Sequence, residues 1–212
     1  LPMVGAIVRA LLTAYVLAHV IFLSHTFFNN SFLEDALMTG FWVYVGFVGS
    51  TMLMHDAFEQ RRNNDNATPM EKYMKNHFSF FGLKTDERRA VFKDILKQNK
   101  EEIETNSRVI AAELYLKKER EFHYCAIEIL IQILKNKYKK KDIHLIEKLL
   151  VTNSWWDSVD TISKYILGQY LLEFPNETFT VIGRFSISKN MWLNSRSSLA
   201  LVSIPKANFK AL

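Results

Sequence analysis

The sequence predicts an all-α protein, and three observations predict it. Seven glycines and four prolines among 212 residues are too few for the many turns of a β protein. Apolar residues recur at helical spacing through most of residues 70–174. Short polar joints separate those runs, as between the stacked helix pairs of an α-solenoid. A hydrophobic content of 49% supplies a core and excludes general disorder. The single cysteine, Cys125, excludes an intrachain disulfide, a cysteine zinc cluster and a CxxC redox site.

The net charge of +5 conceals a split. Residues 1–60 hold one base, Arg9, and four acids, Glu34, Asp35, Asp56 and Glu59, for a net −3. Residues 61–212 hold 26 bases and 18 acids, for a net +8. Hydropathy changes at the same place. Residues 10–28 and 36–54 are each nineteen long without Lys, Arg, Asp or Glu, close to the twenty that span a bilayer. Arg9 precedes the first stretch, Glu34 and Asp35 divide the two, and Arg61 and Arg62 follow the second. Cations favour the cytoplasmic side, so the expectation is a transmembrane helical hairpin with both ends in the cytoplasm. A buried pair of helices is the alternative. His19, His25 and His55 match no compact metal-ligand spacing, and no metal is expected.

Residues 61–68 (RRNNDNAT) read as a polar linker, with Thr68 as N-cap and Pro69 in the first turn of a helix. Met70, Tyr73, Met74 and His77 open that helix, and Gly82 closes the apolar stretch after it. Thr85 is the expected cap of the next, with Asp86 and Glu87 in its first turn and Val91, Phe92, Ile95 and Leu96 inward. A further helix runs from Glu119 to about Lys137 on Phe122, Ala126, Ile129, Leu130 and Ile133. Asp142 opens a short one with Ile143, Ile146, Leu149 and Leu150. Ser154 is expected to cap a long one reaching Phe174, stopped by Pro175 and Asn176.

That last helix is the one suited to chemistry. Trp155, Val159, Ile162, Ile166 and Tyr170 form its apolar stripe. Trp156 and Asp160, four apart, share a face about 100° away. An aromatic face attracts a cation, and a carboxylate beside it stabilises positive charge that develops during a reaction. A packed tryptophan and a surface ion pair fit the same spacing. Arg89, Lys93, Lys97 and Lys100 fall on one helical face, and Lys135, Lys137, Lys139, Lys140 and Lys141 form a second cluster. Both suit phosphates, and both also suit a solvated surface.

Residues 69–78 (PMEKYMKNHF), 81–85 (FGLKT), Glu87-Arg88-Arg89, 119–124 (EREFHY), Lys148-Leu149-Leu150, 154–160 (SWWDSVD) and 190–193 (NMWL) together resemble the DNA alkylation repair, or AlkD-like, glycosylases. The resemblance covers about residues 69–193. It implies HEAT-like repeats around duplex DNA, and hydrolysis of the N-glycosidic bond of cationic alkylpurines such as 3-methyladenine and 7-methylguanine. It implies no metal and no organic cofactor. By motif, Asp160 matches the catalytic carboxylate, Trp156 the aromatic on the damaged nucleotide, and Tyr73 a DNA-facing aromatic. Arg89, Lys93 and Lys97 are the expected backbone contacts. Arg196 is a further expected DNA contact, matched to the family's arginine after its Trp-Leu pair, although it stands one position later. Residues 1–59 resemble a family of small multi-span bacterial membrane proteins, on 15–19 (YVLAH), 39–42 (TGFW), Gly46-Phe47-Val48 and Phe58-Glu59.

The expected organisation is therefore a transmembrane hairpin over 1–60, a linker over 61–68, an AlkD-like domain over 69–200 without its C-terminal repeats, and an irregular tail over 201–212. Two partial resemblances meeting at a linker also have the form of two joined reading frames. The expected protein is a monomeric DNA glycosylase acting on duplex DNA in the cytoplasm, associated with a membrane through residues 10–54. The alternatives are a non-catalytic module that binds DNA or protein, and a membrane protein with a degenerate repair tail.

Overall fold

The computed structural model describes residues 50–195, and these are helical apart from one isolated parallel bridge between Ser79 and Glu119. They form two compact units. One comprises residues 50–76 and 80–106, the other residues 77–79 and 107–195. No helix among the described residues is long and apolar enough to cross a membrane. The first apolar stretch, 10–28, lies outside the described residues. So does 36–54 up to residue 49. Its described end belongs to helix α1 (residues 50–59), which buries Met54 and Phe58 and carries Asp56 and Glu59. Ser50 donates to Glu102 at 2.9 Å, and burial, opposed by that bond, raises the Glu102 pKa.

In the first unit, helix α2 (Asn64–Tyr73) starts earlier than expected. Asn63, not Thr68, is the N-cap: its side chain accepts from the Asn66 N–H at 3.1 Å. The Thr68 hydroxyl donates back to the Asn64 carbonyl at 3.0 Å, so it is spent inside the helix that it was expected to open. Two left-handed residues, Lys75 and Asn76, then stop the chain, and the Asn76 N–H returns to the Glu71 carbonyl at 2.8 Å. Gly82 has φ +88°, and a Cβ there would lie 2.0 Å from the Asn63 carbonyl oxygen. Only glycine lets this turn pass against the start of α2.

Helix α3 (Thr85–Gln98) has Lys84, not Thr85, at its N-cap, without a side-chain cap bond. It buries Phe92 and Ile95, while Val91 and Leu96 are half-buried. With Met54, Phe58, Phe80, Phe81 and Ile103 these residues make the first core. At about 1.5–3 kcal/mol per fully buried large apolar side chain, such a cluster is what repays the ordering of its helices. Asn99 ends α3, so Lys100 opens helix α4 (Lys100–Leu114) and leaves the face of Arg89, Lys93 and Lys97. Asn106 has non-helical angles (φ −108°, ψ 16°) inside α4, where the first unit ends.

In the second unit, α5 (Arg120–Ile133) and α6 (Asp142–Val151) follow the predicted stripes. Helix α5 ends at Ile133, short of Lys137, because Asn136 is left-handed and the Glu173 carboxylate takes the Asn136 and Tyr138 N–H groups. A rod follows: α7 (Trp156–Thr161), a π-helical stretch (Ile162–Leu167) and α8 (Gly168–Glu173). The π-helix was not legible in the sequence. Its wider turn lets neighbouring residues share the inner face, so Ile162, Ser163, Ile166, Leu167, Gly168, Tyr170 and Leu171 are all buried. Pro175 starts a 3₁₀ turn, and α9 (Thr178–Ser186) buries Val181 and Phe185. The helical stretch α10 (residues 191–195) is capped by Asn190, whose Oδ1 accepts from the Trp192 N–H at 2.9 Å.

Candidate active site

The rod begins one residue later than its stripe predicted. Ser154 donates to the Leu150 carbonyl at 2.7 Å and does not cap; Trp155 is the N-cap. Trp155 therefore leaves the core stripe that Val159, Ile162, Ile166 and Tyr170 keep. It becomes an aromatic hub instead. Its ring centroid lies 4.5 Å from His77, 6.2 Å from Phe78 and 6.4 Å from Trp192.

Beneath the start of the rod lies a buried cation. Arg120 has no solvent exposure. Its Nη2 donates to Asp157 Oδ1 at 2.6 Å and to Ser158 Oγ at 2.7 Å. Its Nη1 donates to the Asn153 carbonyl at 2.8 Å and to His123 Nδ1 at 2.9 Å. The Phe78 ring lies 3.9 Å from its guanidinium carbon. A buried arginine is tolerable only when paired and hydrogen-bonded in this way. Tyr124 donates its hydroxyl to Asp157 Oδ2 at 2.7 Å. Burial, then the Asp157 charge, raises the Tyr124 pKa, so the phenol stays protonated and keeps donating.

His123 closes the network. Its Nε2 is 2.8 Å from the Lys117 carbonyl, which can only accept. The proton therefore sits on Nε2, and Nδ1 is free to accept from Arg120. Burial, with the Arg120 cation, pulls the imidazole down to about 4, against the Lys117 hydrogen bond. A neutral ring is what the arginine requires at that position.

This network separates the two carboxylates of the 154–160 segment. Both oxygens of Asp157 are taken, by Arg120 and Tyr124. Asp157 is thus an anchor for the first turn of α7. Asp160 is half-buried one turn further on, on the helix face of Trp156, which is 43% exposed. Trp156 and Asp160 are the predicted site residues that the structure brings together.

Tyr73, 67% exposed, and the exposed Arg89, Lys93 and Lys97 belong to the first unit. Arg89, Lys93 and Lys97 share one face of α3 at four-residue spacing. Arg196 lies outside the described residues. Among the described residues, no three metal-ligating side chains come together. Arg120, His123 and Tyr124 fall in the 119–124 block of the resemblance, but spacing did not mark them as supports, because an arginine at a helix start reads as solvated until its burial is seen.

The family model for the DNA alkylation repair enzyme matches residues 54–211. The chain belongs to the DNA alkylation repair enzyme family. A solved structure described as "Predicted DNA alkylation repair enzyme from Enterococcus faecalis" is 26% identical, with a TM-score of 0.58 over 71% of this chain and 71% of that one. No curated protein matches. The family match starts upstream of Pro69 and runs past Leu193, so it takes in residues 54–59 of the stretch that resembled a membrane protein. That second resemblance is not supported, and nothing among the described residues supports membrane association.

Proposed function

We propose that this member of the DNA alkylation repair family is a DNA glycosylase that hydrolyses the N-glycosidic bond of cationic alkylpurines in duplex DNA. The observation that carries the proposal is the pairing of an exposed Trp156 with Asp160 on one helix face, above an anchor that consumes Asp157 instead. N-alkylation makes the purine a cation and a better leaving group. The Trp156 face attracts that cation, by about 0.5–2 kcal/mol according to its desolvation. As the bond to the base breaks, positive charge grows on the sugar. The Asp160 carboxylate stabilises it and orients the water that adds to the anomeric carbon. The neutral alkylated base leaves, and the water supplies the hydroxyl of the abasic product and one proton to solvent. Tyr73, Arg89, Lys93 and Lys97 are proposed DNA contacts of the first unit, within a HEAT-like arrangement of helix pairs. No metal or organic cofactor enters this scheme.

The test is base release from N-methylated duplex DNA by the chain and by Asp160→Asn. A carboxylate facing developing charge supplies several kcal/mol, so the variant should lose at least about 100-fold in rate while melting as the parent does. Wild-type-like release by Asp160→Asn would remove Asp160 from the mechanism. Retained duplex binding without any release by the parent would leave a binding module.

A further inference from the structure

The lysine loop, residues 134–141, takes no part in the chemistry above, yet it is built with care. Its backbone is tied down at five points. Glu173 accepts from the Asn136 and Tyr138 N–H groups at 2.8 and 3.0 Å. Asp142 accepts from the Lys139 N–H at 2.7 Å. Arg108 donates to the Lys137 carbonyl at 2.9 Å, and Tyr170 donates to the Lys140 carbonyl at 3.0 Å. These bonds also consume the nearest carboxylates. Asp142 is held by Arg108 through both oxygens, at 2.8 and 2.7 Å. Burial alone would raise its pKa, but Arg108 and the Lys139 N–H keep it lowered and ionised. Of the five exposed lysines, Lys140 reaches Glu177 at 3.0 Å. Among the described residues, Lys135, Lys137, Lys139 and Lys141 form no ion pair.

A loop whose carboxylates are spent on its own backbone, and whose ammonium groups are left outside, is shaped for an anionic partner. Its charge suits phosphates, and it packs at the far end of the rod that carries Asp160. Glu173 and Tyr170 sit on the same rod as Asp160. Thirteen residues separate Asp160 from Glu173, about 20 Å at helical rise. Phosphates of one strand recur about every 3.4 Å, so 20 Å is roughly six base pairs.

We infer that the lysine loop is a second DNA-binding surface, gripping backbone phosphates about six base pairs from the damaged base. It rests on the DNA-repair reading, but its contribution is sequence-independent affinity and not bond cleavage. Phosphate contacts made by lysine show themselves in salt dependence.

The test uses the full chain and an undamaged duplex of about 24 base pairs, long enough to cover that span. Affinity is measured across a salt series for the parent, for Lys137→Gln/Lys141→Gln, and for Lys100→Gln/Lys117→Gln, a pair already neutralised by Glu104 and Glu113. The loop variant should bind up to about tenfold more weakly near physiological salt, with a salt slope lower by about 2. Lys137→Arg/Lys141→Arg should bind as the parent does. Unchanged slope in the loop variant, equal losses in both glutamine variants, or no duplex binding by the parent would each overturn the inference. Binding to undamaged duplex needs no lesion chemistry. A chain that binds through the loop but releases no base would therefore sink only the glycosylase reading. A chain that releases base with an unaltered salt slope in the loop variant would sink only this one.

Discussion

The Arg120 centre and the lysine loop lie in the same unit and handle charge in opposite ways. At Arg120 the charged groups themselves are buried and spent on one another, on Asp157, Ser158, His123 and a backbone carbonyl. In the loop the backbone is spent, on Glu173, Asp142, Arg108 and Tyr170, and the charges face outward. The first arrangement holds the start of α7 in place. The second holds a surface ready for something that arrives. Desolvation explains the division: a buried charge is tolerated only with its partners, whereas an exposed one costs the fold almost nothing.

The comparison breaks most visibly at Arg120. Replacement by Ala removes one partner of a buried ion pair and leaves Asp157 facing an apolar hole, at a cost of about 3–5 kcal/mol. Chemical denaturation should show that loss, and thermal melting should show a large drop in midpoint. Tyr124→Phe removes a single hydrogen bond to Asp157, and the expected loss is about 1–2 kcal/mol. Equal, small effects in both variants would mean that Asp157 does not depend on the arginine.

A second test titrates the same centre. The folded His123 ring resists protonation until about pH 4, while an unfolded histidine takes a proton near 6.5. Between those values the unfolded chain binds more protons, so stability falls as pH drops through that window. The decline from about pH 7 to pH 5 should be on the order of 2 kcal/mol. His123→Gln retains a donor and an acceptor without the titration, and its stability should lack this part of the pH dependence.

The smallest stability effects belong to the loop. Glu173→Ala removes the acceptor of two backbone N–H groups, one exposed and one part-buried, for a loss of about 1–2 kcal/mol. The accompanying loosening of the loop should weaken duplex binding more than it weakens the fold. The Lys137→Gln/Lys141→Gln variant should melt within about 0.5 kcal/mol of the parent. A larger change would show that the lysines serve the fold.

Helix content was legible in the sequence because periodicity is a local property. Phe122, Ile129 and Leu130, or Ile143, Ile146 and Leu150, declare their inner face by spacing alone, and all are buried. Starts and stops were less legible. Thr68, Thr85 and Ser154 each have the side chain of a cap, but the N-cap positions fell to Asn63, Lys84 and Trp155 instead. The candidate pair Trp156 and Asp160 was readable because both lie within one turn of one helix. The families of the two halves were not equally secure, since a run of apolar residues is a weaker signature than ordered blocks of mixed chemistry. The match from residue 54 onward took the end of the apolar stretch into the repair family.

By itself, then, the sequence determined an all-helical chain, the inner faces of its helices, its repair-family membership and the face shared by Trp156 and Asp160. Tertiary structure alone decided that Asp157 is the carboxylate anchored by Arg120 and Tyr124. Arg120, Tyr124 and Asp157 are separated by up to 37 residues along the chain, and no periodicity links them. It also decided that His123 stays neutral, that a π-helix follows Asp160, and that the lysine loop spends its backbone and keeps its charges. Those properties depend on solvent exclusion and on partners from distant segments, and both exist only once the helices have packed.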